Sequence, residues 1–250
     1  MTDEPTAVLR ETDDDARRLA RTLLRSAGYA AMAVIDPEAG FPAISRVLVG
    51  TDSDGVPVIL VSGLSAHTRA LDKDPRASLL VGEPGKGDPL AHPRLSVVCL
   101  AEKVARDTPH HQRLRTRFLA RHAKAKLYID LADFRFLRLV PQSASLIGGF
   151  ARAYRLAGDE LVIRSNLTDD LADIAKATVL DLMGRHPDLA DRLAEARNLG
   201  KNQNWHIYGL DVAGFDMISG GKLLRYEFEK EITDLRDLSS DLPKIAYRVP

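Results

Sequence analysis

Apolar positions recur first at helical spacing and then in short runs bounded by turn-forming residues. Ala16, Leu19, Ala20, Leu23 and Leu24 fall on one helical stripe, with Arg17, Arg18, Arg21 and Arg25 mostly off it. Thr12 and Asp15 have capping-box spacing, Asp13 and Asp14 suit the positive end of the helix dipole, and Gly28 ends the element. Residues 29–35, 42–50 and 56–62 then read as strands joined by polar turns of a few residues. Connections that short make antiparallel hairpins, not parallel crossover units. Residues 65–74 predict a short helix, 77–82 a buried strand, 83–93 a Gly/Pro-rich loop and 94–106 a long strand. A basic helix follows at 109–123, and residues 134–140 and 145–156 read as two closing strands. Gly148-Gly149 marks a bulge or a close backbone approach.

Near Ser165 the pattern changes. Thr168 is placed to cap a helix with Asp169 and Asp170 in its first turn and Leu171, Ile174, Ala175, Thr178 and Val179 on its apolar stripe. Pro187 opens a second helix that Gly200 closes. Three hairpin-linked strands are expected at 205–212, 215–218 and 223–228, with a last helix after Thr233. The expected organisation is α+β in two domains, 12–160 and 165–250.

At 250 residues and 45% hydrophobic content the chain can build a sizeable core. Lys+Arg and Asp+Glu are equal at 35 each, which argues against general nucleic-acid binding. Cys99 is the single cysteine and lies in an apolar run, so it reads as a small buried hydrophobe with no disulfide partner. An acidic start without a signal-peptide pattern, and the lack of an apolar run near the ~20 residues that span a bilayer, predict a cytoplasmic protein with no membrane contact.

The most informative segment runs from Val58 to Leu71. A buried strand enters a turn, and a helix starts at Ser65. Unpaired N–H groups at a helix start suit a phosphate, and Ser62, Ser65, His67, Thr68 and Arg69 could surround the same anion. A plain N-cap at Ser65 and a solvated Arg69 account for the spacing too. Arg46, inside an apolar strand, and Arg94, at the start of another, either point to water or meet an anion. The basic run Arg113, Arg115, Arg117, Arg121, Lys124 and Lys126 fits a solvated helix face, as do the acids Asp169, Asp170, Asp173 and Asp181; no metal set is expected. Trp205 and Tyr208 read as core, and His206 as half buried.

Several of these segments, in this order, resemble the pyridoxamine-phosphate-oxidase-like FMN-binding split barrels, most of all their haem-utilisation branch. The residues that carry the likeness are Leu64-Ser65-Ala66-His67-Thr68-Arg69, Asp74-Pro75-Arg76-Ala77-Ser78-Leu79-Leu80, Pro93-Arg94-Leu95-Ser96, and the stretch from Asp133-Phe134 to Gly148-Gly149-Phe150. Leu210-Asp211-Val212-Ala213-Gly214-Phe215 with Leu224-Arg225-Tyr226-Glu227-Phe228 resembles the small α+β domain that follows the barrel in that branch. The resemblance implies an antiparallel split β-barrel and a homodimer with FMN at the subunit interface. It matches Arg46, Ser62, Ser65 and His67 to positions that hold the flavin phosphate, and Arg94 to one near the isoalloxazine ring. Two departures weaken the phosphate grip: Val49-Gly50 stand where a second basic residue is expected, and His67 replaces a lysine.

A flavin-dependent oxidoreductase is therefore the first expectation, with the cofactor supplying the redox chemistry. No side chain stands out as an obligatory acid or base. A haem-binding or haem-degrading protein is the alternative, with a non-catalytic ligand-binding dimer third. The haem reading needs a histidine from among His67, His92, His110, His111, His122, His186 and His206, and none follows His206 in the tail.

Overall fold

The computed structural model describes residues 9–149, 152–197, 199, 203–238 and 242. Seven antiparallel strands lie in the order β3-β2-β1-β4-β5-β6-β7. They are β1 (Tyr29–Ile35), β2 (Pro42–Thr51), β3 (Pro57–Ser62), β4 (Arg76–Val81), β5 (Arg94–Lys103), β6 (Phe134–Ile147) and β7 (Ala153–Ala157). β3 also pairs with β6, so six strands close into a barrel and β7 is an extra strand on its edge. Strand alternation sends Ala30, Met32 and Val34 inward beside Val47, Val49, Leu79, Leu95, Val97 and Leu139, all buried in one apolar cluster. Cys99 joins that cluster, and burial pushes its thiol up to about 12, so it is a core residue and not a nucleophile.

The barrel closes differently from the expected two closing strands at 134–140 and 145–156. β6 is one continuous strand of 14 residues. Its pairing with β5 slips between Val98 and Cys99, opposite Ser143 and Pro141, which leaves Gln142 as the extra residue of a bulge. A bulge is where a strand tolerates a proline, because no ladder N–H is required there. β6 therefore bends and pairs first with β3 and later with β7. Gly149, at φ +116°, lies in the turn between β6 and β7.

Among the described residues, five α-helices accompany the sheets. α1 (Asp14–Ser26) buries Ala16, Ala20 and Leu24 against the barrel. Its cap is Asp13, whose carboxylate accepts from the Ala16 N–H at 2.7 Å, while the Thr12 hydroxyl donates to the Arg155 carbonyl. The Thr12–Asp15 capping box is thus not formed. α2 (Ala66–Lys73) follows β3, and α3 (Pro109–Arg121) follows β5, capped by Thr108. α4 (Thr168–Arg185) begins with Thr168 inside the helix, and Ser165 instead accepts from the Leu167 N–H at 3.1 Å. α5 (Leu189–Glu195) starts two residues after Pro187, and the expected stop at Gly200 lies outside the described residues.

A separate three-stranded sheet, order β10-β9-β8, contains β8 (His206–Asp211), β9 (Gly214–Ser219) and β10 (Lys222–Glu227). Trp205, Leu210, Phe215 and Met217 pack with Leu171, Leu182, Leu189 and Leu193 of α4 and α5 in a second apolar cluster. A short 3-10 turn, Leu235–Asp237, stands where the last helix was expected, and most residues beyond it lie outside the described ones. The whole is the α+β split barrel with a small three-stranded sheet that the sequence predicts. Among the described residues no helix is long and apolar enough to cross a membrane.

The small sheet meets the barrel through charge. Arg25 of α1, expected off the apolar stripe, is 1% exposed and donates to Asp211 at 2.8 Å. Arg225 forks onto both oxygens of Asp211 at 2.7 and 2.8 Å and reaches Asp216 at 3.2 Å. Arg117 of α3 also donates to Asp216, and Arg121 to the Ala27 carbonyl. The basic face of α3, expected to be solvated, is therefore largely spent on partners: Arg113 holds Asp169 and Asp173, and Arg115 holds Asp130.

Candidate functional site

The outward-facing side of β2, β1, β4 and β5 carries a group of apolar side chains among Arg46, Arg76, Ser78 and Ser96. Register places Tyr29 opposite Leu48, Ala31 between Arg46 and Leu80, Ala33 between Ile44 and Ser78, and Ser78 opposite Val98. Tyr29, Ile44, Leu48, Leu80 and Val98 are all exposed on this face, with Ile44 at 76%. A contiguous exposed apolar patch of that kind marks a binding surface.

A hollow of about 380 Å³ opens on the same face, lined by Tyr29, Ile44, Ser45, Arg46, Leu80 and Gly82 among others. Arg46 stands over the Tyr29 ring at 5.2 Å from its centroid, a cation–π contact that leaves the guanidinium at the surface. Gly82 sits at φ +109°, and a Cβ there would come within 2.5 Å of the Pro93 carbonyl. The backbone can therefore pass close to Arg94, whose guanidinium donates to the Leu90 carbonyl at 3.0 Å.

α2 carries His67, which does not itself line the hollow. Its Nδ1 lies 3.3 Å from the Ser45 hydroxyl, and Ser45 is itself part of the hollow's wall. Burial holds the imidazole below its ordinary pKa, so near pH 7 it is a neutral base. Nε2 has no hydrogen-bond partner among the described residues. A neutral imidazole oriented through one nitrogen and open at the other is the arrangement of a metal-ligating histidine.

The expected phosphate cradle is less open than its sequence. Ser62 donates to the Asp133 carboxylate at 2.5 Å and accepts from the Leu64 N–H at 3.1 Å. Arg69 turns back onto the Leu64 carbonyl at 2.5 Å. Thr68 is fully buried and its hydroxyl has no partner among the described residues. Ser65 occupies the N-cap position without a side-chain cap bond, so its hydroxyl is uncommitted. The turn thus brings Ser62, Ser65, His67, Thr68 and Arg69 together, but two of the five are engaged, one is buried, and the Asp133 carboxylate lies against Ser62. Arg46 lines the sheet-face hollow instead, and Arg94 turns to the Leu90 carbonyl.

Other histidines are committed elsewhere. His122 Nε2 contacts the Val49 carbonyl at 2.9 Å, and burial lowers its pKa to about 4. His92 contacts the Lys86 carbonyl at 3.0 Å, and His111 packs edge-on against Phe136. His206 is exposed at the start of β8, not half buried. His110 lies 2.7 Å from Asp52, which also meets Arg138 at 3.1 Å, beside a polar cavity of about 800 Å³. Sequence spacing gave no sign of that triad, because Asp52 and Arg138 come from different hairpins.

Known proteins share this architecture. A family model described as CREG, beta-barrel, matches residues 11–161. The chain belongs to the CREG β-barrel family. A chloroplastic haem oxygenase of Arabidopsis thaliana, HOZ, is 27% identical over 209 residues, 80% of this chain and 63% of that protein. The chain thus spans less than two thirds of that relative's length. The solved structure of a protein of unknown function from Agrobacterium tumefaciens is 29% identical, covers 96% of this chain and 99% of that one, and superposes with a TM-score of 0.80. The structure of a haem-binding protein from Mycobacterium smegmatis is 28% identical, with 97% and 99% coverage and a TM-score of 0.56.

Proposed function

We propose that this CREG-family barrel is a haem-binding protein that uses the outer sheet face and His67. The observation that carries the reading is the neutral, half-buried imidazole of His67, oriented by Ser45 of the hollow's wall and open at Nε2 among the described residues. Neutral imidazole is a common axial ligand of haem iron. Ile44, Leu48, Leu80 and Tyr29 offer apolar contact to a macrocycle, and the surface guanidinium of Arg46 suits a propionate. When bound, haem would supply the redox-active iron; the chain supplies the axial nitrogen, the cationic anchor and exclusion of water.

Flavin has weaker support. A flavin phosphate would have to displace Ser62 from Asp133 and Arg69 from Leu64, and would meet the Asp133 carboxylate directly. Relatives named as a haem oxygenase and a haem-binding protein favour the same choice. A second copy of the chain is the proposed cover of the face, since two-fold pairing buries the same patch on both partners. Light scattering is expected to give the mass of two chains, and a Leu80→Glu variant that of one.

Incubation with haemin followed by desalting is expected to leave a Soret band. The same treatment with FMN is expected to leave no flavin absorbance. Retained flavin without a Soret band would overturn the haem reading in favour of the flavin one.

A further inference from the structure

Residues of α3, α4 and β8 line a groove of about 710 Å³. That volume is in the range of small-molecule sites. Leu119, Val179, Leu180, Ile207 and Leu210 form its apolar wall, and Leu180 is 64% exposed at the rim. Its floor holds Tyr208, Gly209 and Arg117, and it is also lined by Asp52 and Asp173, which are paired with His110 and Arg113. A Cβ at residue 209 would come within 2.5 Å of the Arg117 guanidinium, so the glycine keeps that cation at the floor.

The charge under this floor does not balance. Arg25, Arg117 and Arg225 share the carboxylates of Asp211 and Asp216, Arg21 pairs with Glu227 beside them, and Arg121 has no carboxylate, which makes five cations against three anions among the described residues. Arg121 is 6% exposed, has no carboxylate partner, and its Nε has no hydrogen-bond partner. Its guanidinium donates at 3.4 Å to the hydroxyl of Tyr208, a residue that lines the groove, while Arg121 itself does not. Arg117 and Arg121 otherwise lean on the Thr51 and Ala27 carbonyls, which are partial charges only. Buried cations without counterions are costly, and an anion at the floor would relieve that cost. Tyr208 can donate to it, because burial keeps its phenol protonated.

We infer that this groove binds an amphipathic carboxylate of the long-chain fatty-acid kind, with its head at Tyr208 above Arg117 and Arg121 and its chain along Val179, Leu180 and Ile207. Both parts of the chemistry are needed. The apolar wall attracts any alkyl chain, and the cation excess selects an anionic head over a neutral or positive one. The site is separate from the sheet-face hollow and does not depend on what that hollow binds.

The test is fluorescence titration of the full chain with 11-(dansylamino)undecanoic acid, followed by displacement with laurate, dodecanol and dodecylammonium. Saturable binding, displaced by laurate at least about tenfold better than by dodecylammonium, is expected, a difference of about 1.4 kcal/mol. Leu180→Glu at the exposed rim should weaken the probe about tenfold while the far-ultraviolet circular dichroism stays unchanged. Tyr208→Phe should weaken laurate several-fold and leave dodecanol unaffected. Lack of saturable binding, equal displacement by laurate and dodecylammonium, or binding indifferent to both variants would overturn the assignment. His67→Ala should leave this titration unchanged; if it abolishes probe binding, the probe occupies the sheet-face hollow and the groove assignment fails.

Discussion

Leu95, Val97, Leu139 and Leu146 fill the barrel at zero exposure within one large apolar cluster. Arg25, Asp211, Asp216 and Arg225 fill an equally dry space between α1 and the small sheet, each at 3% exposure or less. The first region is held by burial that is non-directional and tolerates small changes of shape. The second is held by charge pairs whose geometry must be right, since each ion left without its partner keeps its desolvation cost. The barrel should therefore yield gradually to substitution, and the seam abruptly.

The largest expected effect comes from the seam. Asp211→Ala leaves Arg25 and Arg225 only their longer contacts to Asp216, which Arg117 shares, and is expected to cost about 3–5 kcal/mol in urea unfolding. A cost below about 1 kcal/mol would mean that the seam is wetter than its geometry indicates.

Acid should separate the two regions next. Asp211 and Asp216 are held well below the usual carboxylate range by Arg225, Arg25 and Arg117, which outweigh their burial. Their stabilisation is present above the unfolded carboxylate pKa and is lost only as pH falls toward the depressed folded values. His122 behaves otherwise. Burial lowers its pKa to about 4, so the unfolded chain binds a proton first as pH drops. Stability contributed by the neutral ring is full above about 6.5, the unfolded histidine value, and is lost between there and about 4. His122→Asn is expected to flatten the stability profile across that window. A profile that keeps its slope in the variant would assign the loss to another group.

The smallest effect belongs to the barrel interior. Ile59→Val removes one methylene from a fully buried position and is expected to cost about 0.5–1.5 kcal/mol by urea unfolding. A loss as large as that of Asp211→Ala would erase the contrast.

Much of the barrel was legible because strand alternation and hairpin turns are local signals. β1, β2, β3, α2 and β4 fall within a residue or two of their expected limits. β6 was misread because Pro141 looks like a break, while a bulge at Gln142 absorbs it. Arg25 was misread because its partner Asp211 is 186 residues away, beyond any spacing rule. The candidate site divides in the same way. The turn that gathers Ser62, Ser65 and His67 was visible in sequence. The engagement of Ser62 by Asp133, 71 residues on, was not. Nor was the contact between His67 and Ser45, which depends on how α2 lies against β2.

Titration of haemin into the wild-type chain and into His67→Ala, followed at the Soret band, tests the central claim most directly. The account predicts a saturable Soret shift in the wild type that the variant loses while its fold and mass stay unchanged. An identical shift in both proteins would remove His67 as the iron ligand and contradict the proposed site.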